Sequence, residues 1–151
     1  MNTNQYAESC EKEAYELLKT LAAIPAPSNH EEHRTAFCQN WLREQGVEDV
    51  WIDEAGNVMI PFGVEEDNPL AVIMAHMDVV FEDLEPLPVR EDEERLYAPG
   101  VGDDTANLTV LLMAARYLAR KNCKTKDLGV LLVCNTGEEG LGNLRGCRQI
   151  M

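Results

Sequence analysis

Three short stretches hold the residues that could do chemistry together. They are His76 and Asp78 in Ala75-His-Met-Asp-Val-Val, Asp103 and Asp104 in Gly100-Val-Gly-Asp-Asp-Thr, and Glu138 and Glu139 in Asn135-Thr-Gly-Glu-Glu-Gly. Several carboxylates gathered around one imidazole repel each other unless a cation sits among them. Nitrogen and oxygen donors suit Zn2+, with Co2+ or Mn2+ as alternatives. Asp78, two residues beyond His76 on an extended segment, lies on the same side and can accept a hydrogen bond from the second ring nitrogen, which fixes the tautomer of a ligating histidine. Asp103, in a turn flanked by glycine, can offer both oxygens and so bridge two ions about 3.5–4 Å apart. Of Glu138 and Glu139, one can bind metal while the other stays free as general base for the attacking water, an arrangement suited to amide hydrolysis.

This chemistry requires a fold that brings the three stretches to one place. Leu70–Ala75 and Leu128–Cys134 are apolar runs of strand length, which predicts two strands covered on both faces. His76 follows the first and Glu138–Glu139 the second. Between them Leu108, Leu111, Leu112, Ala115 and Ala119 mark a buried helix that starts just after Asp103 and Asp104, with a lysine-rich link at 121–126 after it. Strand, helix and strand form a βαβ unit with parallel strands, and ligands of such sheets bind at the carboxyl ends. Upstream, Cys10, Ala14, Leu17, Leu18 and Leu21 predict an amphipathic helix over 6–22. Ser28 with Glu31 three residues later reads as a capping box for a second helix that stops near Gly46, with His30 and His33 at its start. Val50, Ile52, Val58, Ile60 and Phe62 predict an antiparallel hairpin turning at Gly56. Residues 81–99, with Pro86, Pro88 and the acids Glu91, Asp92, Glu93 and Glu94, read as an exposed loop or short hairpin, and another helix begins near Leu141. The expected fold class is α/β, a mixed, mainly parallel sheet flanked by helices.

Composition narrows the function classes. The 151 residues are 45% hydrophobic, enough for one domain with a core. Lys and Arg number 13 against 27 Asp and Glu, and the resulting net charge of −14 repels phosphate backbones and anionic lipid, so neither nucleic acid nor a membrane surface is expected as partner. The acidic start lacks a secretion signal and no run reaches membrane-spanning length, so the expected location is cytoplasmic. Five cysteines without a Cys-x-x-Cys spacing read as reduced thiols, with Cys134 part of the core rather than a ligand.

Taken in order, AHMDVV, GVGDDTAN and NTGEEG resemble the N-terminal signature blocks of the zinc exopeptidase family that includes peptidase T, glutamate carboxypeptidase, acetylornithine deacetylase and succinyl-diaminopimelate desuccinylase. IPAPSNHEEH also resembles that family's lead into its second helix. The resemblance implies metal-dependent hydrolysis of amide bonds in peptides or N-acyl amino acids at a two-zinc site. It implies His76 and Glu139 as ligands of different ions, Asp103 as the bridge, Asp78 as the group orienting His76, and Glu138 as the catalytic base. Thr105 departs from the family, which usually has lysine there. The family is longer, so residues 1–151 correspond to the N-terminal portion of a catalytic domain. The lid or dimerisation domain, through which the intact protein could be a homodimer, and the remaining ligands fall outside them. By themselves these residues are expected to bind metal weakly and turn over slowly or not at all, and to leave an open sheet edge with apolar surface. The competing expectation is a truncated homologue that is not an enzyme and serves as a metal-binding or interaction module.

Overall fold

A computed structural model of the chain describes residues 2–66, 68–123, 125 and 127–151. Lys124 and Lys126 of the lysine-rich link thus lie outside the described residues. Helix α1 (Thr3–Ala23) starts earlier than its apolar stripe because Asn2 caps it: the Asn2 side chain accepts from the Gln5 amide and the Gln5 side chain accepts from the Asn2 amide. Helix α2 spans Glu32–Glu44. Strands β1 (Trp51–Ile52) and β2 (Val58–Phe62) form the expected hairpin, with Gly56 at φ +90° in a turn held by the Asp53 side chain. Strand β3 covers Leu70–His76, a small hairpin β4 (Arg90–Glu91) and β5 (Leu96–Tyr97) follows, and a tight turn over Val101–Thr105 leads into α3 (Ala106–Arg120). Strand β6 (Gly129–Asn135), a turn of 3-10 helix at Gly140–Gly142 and α4 (Arg145–Ile150) complete the order.

The main sheet runs β1-β2-β6-β3. It is mixed, as the sequence predicts, but its parallel part is confined to β3 and β6, because the hairpin adds two antiparallel pairings. Apolar side chains of α1, α2 and α3 pack on one face, where Leu21, Leu42, Leu108 and Leu112 meet Val58, Ile60, Leu132 and Cys134. On the other face Met59, Leu131 and Val133 pack against Ile150 of α4. No described helix is long and apolar enough to cross a membrane.

Two expectations need correction. β3 is not covered on both faces: among the described residues no strand pairs with its outer edge, and Leu70, Val72, Ile73 and Met74 are exposed. Its apolar run resembles that of β6, but only β6 has a strand on each side. Nor is Ser28-x-x-Glu31 a capping box, since α2 begins after Glu31 without any side-chain cap. Both side chains are drawn away by stronger partners across the fold. Ser28 Oγ donates to Asp78 Oδ2 at 2.7 Å, and the Glu31 carboxylate accepts from the Gly137 amide.

Candidate metal centre

The parallel pairing of β3 with β6 puts His76 level with Asn135, so the turns that follow both strands emerge together. The Met77 amide continues the ladder by donating to the Asn135 carbonyl at 2.8 Å, and the Val79 amide donates to Ala26, which lays Pro27 and Ser28 alongside. Fully buried Arg34 of α2 holds the segment between His76 and Asp78 by donating to the Met77 carbonyl at 2.7 Å and to the Ile24 carbonyl at 2.6 Å. The turn before α3 comes up from below. Asp104 Oδ2 accepts from the His76 amide at 3.0 Å, so Asp104 pins the end of β3 rather than merely favouring the helix dipole.

The result is a cluster of chemistry-bearing groups from three distant segments. Donor atoms of His76, Asp103 and Glu139 all lie within 4.8 Å of one another. His76 Nε2 is 3.1 Å from Asp103 Oδ1 and 3.9 Å from Glu138 Oε2. Its Nδ1 faces the Asp78 backbone carbonyl at 3.0 Å and the Asp78 carboxylate at 3.4 Å, so both atoms of that residue orient the ring. The fully buried Asp78 carboxylate does more than the sequence suggests. It accepts from Ser28 Oγ and from the backbone amides of Glu138 and Glu139, both at 3.0 Å, and so ties the turn after β3 to the turn after β6.

Electrostatics follow from this packing. Burial raises the Asp78 carboxyl, but His76, the two backbone amides and Ser28 outweigh it and hold the group at about 2. Burial likewise works against a charged His76, and hydrogen bonds with Asp78 and Asp103 overcome it, lifting the imidazole to about 9. Glu139 is pushed up by burial, with His76 acting the other way and Asp103, Glu138 and Asp78 adding to the rise. A carboxylate raised by burial and by acidic neighbours, as Glu139 is, is the condition a divalent cation relieves. One imidazole nitrogen and carboxylate oxygens form a donor set that fits zinc, cobalt or manganese.

Other sequence candidates lie elsewhere. Cys134 is buried in the core, and His33 is exposed. His30 is also exposed, on the wall of a cleft of about 490 Å³ beside Glu139 that Pro27, Val79, Phe81, Leu84 and Leu141 also line. Sequence reasoning missed Ser28, Glu31, Arg34 and Arg145. Ser28 and Glu31 read only as a cap, and Arg34 and Arg145 bond across segments far apart in sequence, so their spacing carries no signal. The strength with which burial disfavours an unpaired charge marks Glu31 and Arg34 once the fold is known.

Known proteins give the cluster a context. The profile of Peptidase family M20/M25/M40 matches residues 72–151. A LysW-lysine/LysW-ornithine hydrolase of Pyrobaculum aerophilum is 36% identical over 99 residues, covering 66% of this chain and 27% of that protein. The cytosol non-specific dipeptidase of Escherichia coli is 29% identical over 147 residues, covering 87% of this chain and 30% of that protein. A tripeptidase structure from Staphylococcus aureus superposes with a TM-score of 0.70 at 20% identity, covering 91% of this chain and 39% of that one, which shows a shared fold. The chain thus spans about a third of the length of these relatives. The profile match takes in most of β3, the crossover helix, β6 and all three turns of the cluster, and on that match the chain belongs to Peptidase family M20/M25/M40.

Proposed function

We propose that the protein carrying this sequence hydrolyses amide bonds in peptides or N-acyl amino acids with a divalent cation, and that these residues form the N-terminal portion of its catalytic domain. One observation carries the reading: a glutamate that the metal cluster does not require, Glu138, stands 3.9 Å from His76 Nε2 at the rim of that cluster. His76, Asp103 and Glu139 would serve as ligands at a site for two such ions, zinc by preference and cobalt or manganese by similar chemistry. Bound there, a cation supplies Lewis acidity, polarising the scissile carbonyl and making water acidic near neutral pH.

The protein's own groups do the rest. Glu138 accepts a proton from the attacking water and returns it to the leaving amine nitrogen. Asp78 fixes the plane of the His76 ring and, through the amides of residues 138 and 139, the distance of the base from the reacting carbonyl. The cleft beside Glu139 gives the neighbouring part of the substrate a place to lie. The names of the relatives, a dipeptidase and a hydrolase, support amide hydrolysis.

Replacing Glu138 by Gln is expected to leave metal content unchanged while lowering turnover of dipeptides or N-acyl amino acids about 10²–10⁴-fold. Retained turnover would place the base elsewhere. The alternative is a metal-binding or interaction module without activity. Stoichiometric metal binding with no hydrolysis of any peptide or N-acyl substrate would favour it.

A further inference from the structure

Glu31 lies outside the cluster, at the residue before α2. The residue is only 3% exposed, an unusual place for a carboxylate. Oε1 accepts from the Asn29 amide at 3.0 Å and from the Gly137 amide at 2.9 Å, and Oε2 pairs with Arg145 Nη2 at 2.9 Å. Arg145 and Gly146 bond back to the same turn, their amides donating to the carbonyls of Gly137 and Thr136 at 3.1 and 2.9 Å. The space is filled: a Cβ at Gly146 would run into Asn57 and Thr136, and Gly137 takes a φ of +58°.

Three successive amides of the turn therefore end on two buried carboxylates. Gly137 is held by Glu31, and Glu138 and Glu139 by Asp78. Asp78 also touches His76, whereas Glu31 touches no member of the cluster. We propose that Glu31, braced by Arg145, is a positioning residue that fixes the Glu138–Glu139 turn and thereby sets the cation affinity of His76, Asp103 and Glu139. This rests on the metal-site reading above, but the placement of the turn can be tested without metal.

Two measurements on the full chain decide it. In titrations with Co2+ followed by its visible absorption, Glu31→Ala is expected to weaken binding about 10–100-fold, the usual effect of losing a group that orients ligands. Glu31→Gln, which keeps an acceptor for the Gly137 amide, should recover most of that loss. Leu42→Ala, a core change in α2, the helix that begins at the residue after Glu31, serves as the control and should leave affinity near that of the unaltered chain at temperatures where both stay folded. The second measurement is amide hydrogen exchange without metal, where Glu31→Ala should speed exchange at Gly137 about tenfold while Leu131–Val133 of β6 stay protected. The proposal is overturned if Glu31→Ala binds Co2+ as the unaltered chain does, if Leu42→Ala loses as much, or if Gln fails to rescue. Unchanged exchange at Gly137 overturns it equally. If the unaltered chain takes up no Co2+, the metal reading fails, and the exchange at Gly137 alone decides whether Glu31 places the turn.

Discussion

β3 and β6 are alike in sequence and hydrogen-bonded side by side, yet they live in different surroundings. Ile73 and Leu132 are register partners, but Ile73 is 55% exposed and Leu132 only 3%. The difference vanishes at the carboxyl ends, where Ala75 and His76 are as buried as Cys134 and Asn135. Along its length β3 has, among the described residues, a partner strand on one side alone. At its end it is enclosed by the polar network of Asp78, Ser28, Arg34 and Asp104. An apolar run thus records that a strand is suited to burial, and the hydrogen-bonded turn beyond it decides how much of the strand is held firmly here.

The most direct way to break this comparison is to remove what encloses both ends. Asp78→Ala leaves the amides of Glu138 and Glu139 and the hydroxyl of Ser28 without their buried charged acceptor. Loss of one partner from such a buried charged network costs about 3–5 kcal/mol. Urea unfolding followed by circular dichroism should therefore show a chain that is largely unfolded or shifted far to low urea. A midpoint unchanged from the parent would mean that the site end of the two strands is not what holds β3.

The second test compares the strands directly. Leu132→Ala empties part of the core beneath α1–α3 and should cost about 2–4 kcal/mol, whereas Ile73→Ala, half in solvent, should cost under about 1 kcal/mol. Equal shifts in the urea midpoint would show that β3 is covered in solution along its whole length.

The same contrast explains what could be read from the sequence. The apolar runs at 70–75 and 128–134, the helical stripe from Leu108 to Ala119 and the turn at Gly56 are local signals, and each became the expected element. Parallel pairing of the two runs then places His76, Asp103 and Glu139 together by topology alone, which is why the cluster was legible. An open edge with apolar surface was expected, but which strand would carry it was not legible, because a period-free apolar run is the same for an edge strand and a central one. The supports of the site were misread for another reason. Ser28 and Glu31 carry a genuine local pattern, but the Asp78 carboxylate and the Gly137 amide are better partners than the backbone of α2, and tertiary bonding won. Asp104, which lies just before α3, is engaged in the same way by the His76 amide.

The smallest effect concerns α3, the helix that joins the two strands. Its buried Arg116 donates to Glu13 of α1 at 2.5 Å, to Tyr6 Oη at 2.7 Å and to Gln45 at 3.3 Å. The hydrogen bond from Arg116 holds the Glu13 carboxyl below its ordinary value of 4.5, against a smaller opposing effect of burial. A carboxyl lowered in the folded state contributes stability that is fully present above its ordinary value and is lost as pH falls through the folded one. The Glu13 side chain is 53% exposed, so solvent screens the pair and Glu13→Gln should cost no more than about 1 kcal/mol at neutral pH. Parent and variant melting curves should converge as the solution is acidified below the carboxylate range. If the gap stays constant with pH, Arg116 is held by Tyr6 and Gln45 alone, and the crossover helix is anchored independently of charge.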